Sequence, residues 1–446
     1  MRAIDVAARL AGQRGRILLH SGRDDDGLGT WSFAAAEPRA TLMARGTSIV
    51  RLDERGRPAK RFTADPFDAA EDFLREFGCV LEPRAEGAPE PRVVGYFGYD
   101  LARVVEQLPG GPSLGQDVPD MWLAAYDAVA RTRNERTEII ATRADDAGGA
   151  ARAGSKRWLE ELLASGPPRP ALPPRLGELV PDDSGDLHVA RVGRILDYLA
   201  AGDVYQVNLA RRLVARIEAP GDALALYEAL AEVAPAPYGA LLEADGVTII
   251  SGSPERFLAS VGDRVETRPI KGTRPRAPGA ADELAAAPKD DAEHLMIVDL
   301  ERNDLGRIAE TSSVRVDELG YIVELPALYH KVSRVSAKPR AGTGYAQLLR
   351  ATFPGGSITG APKVRAMQLI DELEPARRGP YCGAVGYFGA GGGFDLAIAI
   401  RIGVIKNDEL RIHVGGGIVA DSNPAAELAE TELKAQGWVA ALDRLR

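Results

Sequence analysis

A single lysine stands just before a Gly-Thr pair in Arg268-Pro269-Ile270-Lys271-Gly272-Thr273-Arg274. The run leading into it (Val265, Thr267, Ile270) has strand patterning. Glycine lets the backbone approach a ligand closely, and Thr273 places a hydroxyl beside it. A lysine held at such a turn becomes a nucleophile once its ammonium loses its proton. The same residues also suit a surface lysine in a basic hairpin.

Two acidic pairs offer a second kind of chemistry. Asp290 and Glu293 are three apart at the start of one expected helix, and Glu427 and Glu430 are three apart on another. Ser422 is placed to cap the second helix and Pro424 to open it. Residues at i and i+3 share a face, so two such faces brought together give four carboxylates, an oxygen site suited to Mg²⁺. Lys434 continues the Glu430 stripe by one turn. Read helix by helix, the acids equally suit the dipole of a helix N-terminus, and Glu430 with Lys434 suits an exposed pair.

Gly415, Gly416 and Gly417 follow the expected strand at His413 and Val414. Consecutive N–H groups there can hold a carboxylate, and the alternative is a bulge or hairpin bend. The run from Gly389 to Gly393 is more simply a hairpin tip. The segment 355–363, Gly-Gly-Ser-Ile-Thr-Gly-Ala-Pro-Lys, fails as a phosphate loop, because Ala-Pro follows where Lys-Ser/Thr is required. No GxGxxG precedes an expected helix, so a dinucleotide site is unsupported. Arg401 sits in an apolar run expected as one strand over about 395–404, where a guanidinium needs an anion or an internal acidic partner. His330 suits a packed histidine.

The elements that must position these groups come from a chain of 446 residues, a length that suggests about three domains. Residues 1–165 read as a β-rich region. Residues 166–187 are Pro-rich and read as a linker, and 188–446 as the region carrying the chemistry. Helices are expected near 66–77, 189–202, 290–306, 361–374 and 424–440. Strand groups look antiparallel with helices between them, which is α+β. A net charge of −9 argues against nucleic acid as a partner. Cys79 and Cys382 are too few for a disulfide framework or a thiolate zinc site. No run is long enough to cross a membrane and the N-terminus lacks a secretion signal, so a cytoplasmic location is expected.

Several motifs occur in one order: Ser253-Pro254-Glu255-Arg256-Phe257, Pro269-Ile270-Lys271-Gly272-Thr273, Ala292-Glu293-His294-Leu295-Met296-Ile297-Val298-Asp299-Leu300, Arg302-Asn303-Asp304-Leu305-Gly306-Arg307, Gly360-Ala361-Pro362-Lys363 and Gly386-Tyr387-Phe388. Together they resemble the chorismate-utilising enzymes, a family that includes anthranilate, aminodeoxychorismate, isochorismate and salicylate synthases. The resemblance covers about 185–440. Leu18-Leu19-His20-Ser21-Gly22, Gly95-Tyr96-Phe97-Gly98-Tyr99-Asp100-Leu101 and Val118-Pro119-Asp120-Met121 are similar, more loosely, to the aminodeoxychorismate branch.

The resemblance implies a sandwich of two large antiparallel sheets with helices outside, as in anthranilate synthase. It implies chorismate as substrate, Mg²⁺ as cofactor and ammonia from glutamine through a separate amidotransferase subunit, in p-aminobenzoate and folate biosynthesis. Isochorismate and salicylate synthases place a water-activating lysine where this chain has Gln206. Anthranilate synthases place alanine where it has Lys271. On the aminodeoxychorismate pattern, Lys271 attacks C2 while the C4 hydroxyl leaves; ammonia then adds at C4 and expels the lysine. Glu255 is implied as the acid for that hydroxyl. Glu293 and Glu430 are implied as direct Mg²⁺ ligands, and Asp290 and Glu427 as ligands through water. Lys434 and the Gly415, Gly416 and Gly417 amides are implied at the ring carboxylate, and Arg401 and Tyr387 at the enolpyruvyl carboxylate. Thr273, Gly360 and His330 complete the implied pocket. Alternatives are an anthranilate synthase with an unusual lysine and a non-catalytic relative that binds chorismate or tryptophan. An ordinary lysine has a pKa of about 10.4, and each unit of depression costs about 1.4 kcal/mol. Burial and nearby cations can supply such a shift.

Overall fold

Strand patterning at both ends of the chain resolves into two antiparallel sheets, each of twelve strands among the described residues. The structure is a computed structural model that describes the chain apart from residues 25, 84–86, 112–116, 142–148, 167–169, 171 and 326–327. The first sheet runs Arg175–Leu176, Gln206–Ala219, Glu409–Ile418, Ile402–Lys406, Thr248–Ser253, Tyr238–Glu243, Ile17–His20, Ser32–Ala35, Ala128–Arg133, Arg136–Ala141. The second runs Ile270–Pro275, Leu328–Ala337, Arg264–Arg268, Arg256–Val261, Phe394–Ile398, Ala384–Gly389, Pro91–Phe97, Met121–Ala125, Ala40–Arg45, Ser48–Leu52, Pro58–Thr63. Strands from 1–165 therefore extend both sheets from the flanks of strands in 188–446. Within 166–187, residues 167–169 and 171 lie outside the described part, while Arg175–Leu176 and Val180–Pro181 pair with Gln206–Ala219.

Side-chain alternation decides the layers. Ile17 and Leu19 join an apolar core shared with Val93, Tyr96 and Leu123 of the second sheet. Leu18 points the other way, into a cluster with Leu224 and Leu230 of helix Ala223–Val233 and Trp438 and Leu442 of helix Pro424–Asp443. The first sheet is thus apolar on both faces, between the second sheet and an outer layer of helices. This is the expected sandwich. Pro91–Phe97 and Met121–Ala125 are buried along their whole length, as strands covered on both sides must be.

Two sequence expectations need correction here. The apolar run expected as one strand over 395–404 is two: Phe394–Ile398 belongs to the second sheet and Ile402–Lys406 to the first. The chain steps between sheets at Ala399 to Arg401, and Arg401 takes φ +50° there. A continuous apolar run hides that step, because both halves are buried. Helix Pro424–Asp443 is capped by Asn423, whose Oδ1 accepts from the Ala425 and Ala426 N–H groups, rather than by Ser422. The Ser422 hydroxyl is directed at Glu427 instead, at 2.6 Å.

The second step between sheets lies beside the first. Thr248–Ser253 is in the first sheet and Arg256–Val261 in the second, so Pro254 and Glu255 bridge them. The two bridges are tied together: Ile398 N–H donates to the Glu255 carbonyl at 3.0 Å, Gly252 N–H to the Arg401 carbonyl at 3.1 Å, and Ser253 Oγ to the Ile398 carbonyl at 2.6 Å.

Gly360–Ala361 forms a short ladder with Gln206 and Val207. Gly360 has φ +141°, and a Cβ there would lie 2.1 Å from the Gln206 carbonyl oxygen. Both the torsion and the clash forbid a side chain. Gly360→Ala should lower stability by at least about 2 kcal/mol. Urea unfolding should show a lower midpoint at unchanged slope.

Candidate active site

Glu255 sits on the bridge between the sheets and is 6% exposed. Its amide donates to Ser253 Oγ at 3.2 Å, which fixes the turn. Burial pushes its carboxyl up to about 7, against the hydrogen bonds from the Ser357 hydroxyl and Ile270 N–H and the charge of Lys271. A carboxyl so placed holds a proton near neutrality.

Lys271 lies on Ile270–Pro275, the edge strand of the second sheet. The ladder to Leu328–Ala337 is irregular between Ile270 and Thr273, and Gly272 takes φ +82° there. Burial lowers the Lys271 pKa from its ordinary value, and the Lys434 ammonium pushes the same way. Glu255, Glu293 and Glu430 oppose this and lose. Glu255, Glu293, Glu430 and Lys434 thus all act electrostatically on the Lys271 amine. Thr273 Oγ1 is 2.8 Å from His330 Nδ1, on the directly opposite strand position. Burial holds His330 down to about 4, with Arg401 and Arg23 repelling its proton. The imidazole is neutral, and Arg401 faces the same cluster from the inter-sheet step.

Each acid pair has a residue packed against one of the expected site glycines. Gly272 packs against Asp290: a Cβ there would lie 3.4 Å from Asp290 Cβ. Gly415, Gly416 and Gly417 are neither a bend nor a bulge but part of strand Glu409–Ile418, in register with Ala210, Leu209 and Asn208. Among the described residues no strand pairs with their other edge, since pairing with Ile402–Lys406 stops at Ile412. A Cβ on Gly416 would lie 3.3 Å from both Glu427 Oε2 and Glu430 Oε1. Both carboxylates thus rest over bare backbone on one helix face. Lys434 Nζ bridges Glu430 Oε1 at 2.6 Å and the Gly415 carbonyl at 2.7 Å. Arg274 pairs with Asp290 at 2.7 Å.

Among the described residues no three His, Cys, Asp or Glu side chains form a ready cage for a metal ion. The donors that face Lys271 nevertheless fit a hard divalent cation in kind. They are all carboxylates; Lys434 already holds positive charge against Glu430, and Arg274 against the neighbouring Asp290. Gln206 is fully buried, and neither its Oε1 nor its Nε2 has a hydrogen-bond partner among the described residues. Its amide packs on Gly417, where a Cβ would lie 2.4 Å from Nε2. Burying an unpaired amide costs about 1–3 kcal/mol.

Tyr387 is the expected residue that the structure does not bring here. It pairs with Asp395, its ring packs 5.3 Å from Phe33, and it lines a separate cavity of about 170 Å³ with His20, Trp31 and Arg256. Strand alternation turns it into the space between the sheets. Conversely, Ser357 reaches Glu255 without having been singled out. Its signal was the glycine-rich segment 355–360, set aside once it failed as a phosphate loop.

Residues 24–439 match the chorismate binding enzyme family, and the chain belongs to it. It is an enzyme of that family. It is 40% identical over 434 residues to aminodeoxychorismate synthase component 1 of Klebsiella aerogenes, covering 95% of this chain and 92% of that one. It is 37% identical to anthranilate synthase component 1 of Pseudomonas aeruginosa, covering 96% and 90%. The fold matches the crystal structure of anthranilate synthase component I from Streptococcus pneumoniae with a TM-score of 0.78 at 29% identity, covering 92% of each chain.

Proposed function

We propose that this chain converts chorismate and ammonia to 4-amino-4-deoxychorismate through a covalent bond from Lys271 to substrate C2. The observation that carries this reading is the juxtaposition of Lys271, its pKa lowered, with Glu255, its pKa raised. The lysine amine adds at C2 as the ring double bonds shift and the C–O bond at C4 breaks. Glu255 gives its proton to that departing oxygen. Ammonia then adds at C4, and the reverse shift expels the Lys271 amine. The buried Gln206 amide has both a donor and an acceptor free to orient ammonia, and it cannot deprotonate water. Arg401 holds the enolpyruvyl carboxylate, beside Thr273 and the neutral His330.

Chorismate is a dianion, and the acid pairs alone repel it. Glu293 and Glu430, with Asp290 and Glu427 behind them, would hold Mg²⁺. When bound, the ion neutralises this wall and fixes the ring carboxylate. Lys434 would turn from Glu430 toward that carboxylate. A separate amidotransferase subunit supplies ammonia when glutamine is the source, consistent with the "component 1" in the relatives' names.

The test is product identity. Chorismate, ammonium and Mg²⁺ should give 4-amino-4-deoxychorismate by chromatography and mass, and glutamine should replace ammonium only with a partner subunit present. Fluorescence of anthranilate would sink the reading in favour of the anthranilate branch. Mg²⁺ at 100 times its dissociation constant should also raise the melting temperature, by the equivalent of about 2.7 kcal/mol. Glu293→Gln and Glu430→Gln should lose that rise.

A further inference from the structure

Glu301 lies behind the site, 3% exposed, on helix Pro288–Gly306. Its Oε1 accepts the Gly356 N–H at 3.2 Å. Gly356 opens the single turn Gly356–Ile358, which carries Ser357. That turn is held on its other sides by Thr359 Oγ1, bonded to the Gly355 carbonyl at 3.0 Å, and by Asn208 Nδ2, bonded to the Ser357 carbonyl at 3.1 Å. The Ser357 hydroxyl then meets the Glu255 carboxyl. A buried carboxyl is a costly way to satisfy one amide, and Lys363 is already engaged by Asp304.

We propose that Glu301 is a positioning residue for the acid step, holding the Gly356–Ile358 turn so that Ser357 fixes the direction and protonation of the Glu255 carboxyl. This deepens the reading of Glu255 given above and rests on it. Burial pushes the Glu301 carboxyl up to about 8. Asp304 and Glu255 add to the rise, while Lys363 and the Gly356 N–H oppose it. The groups that act on Glu255 are Lys271, Ser357 and the Ile270 N–H, and Cys382 feels its charge from the side of the Ala384–Gly389 strand.

The test is the side-chain ¹³C titration of Glu255 in glutamate-labelled protein, assigned by the resonance lost in Glu255→Gln, run beside the pH profile of kcat. The Ser357 hydrogen bond favours the ionised form, so Ser357→Ala should move the Glu255 midpoint upward by about one pH unit. Glu301→Met should move it likewise and lower kcat about tenfold. The double variant should go no further than either single one, since both break one path. Glu301→Gln, which keeps the acceptor for Gly356, should bring kcat back to within about threefold of the parent. A parental midpoint in Glu301→Met, or additive effects in the double variant, overturns the proposal. If Glu301→Met does not fold, Glu301→Gln decides. A fall in kcat of tenfold or more in Glu301→Gln, which keeps the acceptor for Gly356, then overturns the proposal. A midpoint that moves in Glu301→Met while kcat does not would sink the acid role of Glu255 and leave the positioning standing.

Discussion

Lys271→Ala should lower formation of 4-amino-4-deoxychorismate by at least about 10³-fold, because it removes the proposed nucleophile itself rather than a group that assists one. The fold should survive, since Lys271 is on an edge strand and the substitution leaves the backbone ladder in place. The variant should still bind chorismate through Arg401 and the acid wall with its ion. Ammonia can then reach C2 directly, and any residual product should carry nitrogen at C2 rather than C4. Lys271→Arg provides the control for charge. It keeps a cation in place but has no amine to lose a proton, and it should be as inactive for the C4 product as alanine. Unchanged kinetics in the alanine variant would remove the covalent route.

The second large effect is that of Glu255→Gln, expected at about 10²- to 10⁴-fold in kcat. Its pH signature follows from the direction of the shift. Burial holds the carboxyl protonated up to about 7. In the proposed acid role the protonated form is the active one, so kcat/KM should fall as pH rises through that value. In Glu255→Gln this alkaline limb should disappear along with most of the activity. A variant that keeps both the rate and the limb would show that another group protonates the leaving oxygen.

Much of this site is legible in the sequence because its chemistry depends on local spacing. Glu427 and Glu430 share a helix face in the structure as their separation requires, and both rest over Gly416. Lys271, Gly272 and Thr273, expected as a turn closing a strand, lie instead inside edge strand Ile270–Pro275, at an irregularity of its ladder. What the sequence concealed is longer in range. Arg401 reads as one more position in an apolar strand, yet it occupies the step where the chain leaves one sheet for the other. Tyr387 reads as neighbour to the same pocket, yet alternation along Ala384–Gly389 sends it into a different cavity. Ser357 and Glu301 matter only through contacts across 50 or more residues, as with Gly356 and Glu301 at a separation of 55. Glu301 in particular sits in a helix whose sequence gives no sign of which acids face inward.

The way residues 1–165 widen both sheets has a cost for any attempt to work with 188–446 alone. Tyr238–Glu243 would lose Ile17–His20, and Ala384–Gly389 would lose Pro91–Phe97. Each would present a row of unanswered amides and carbonyls flanked by apolar side chains, the kind of surface that recruits strands from other molecules. The amino-terminal hairpins therefore also act as built-in seals against self-association.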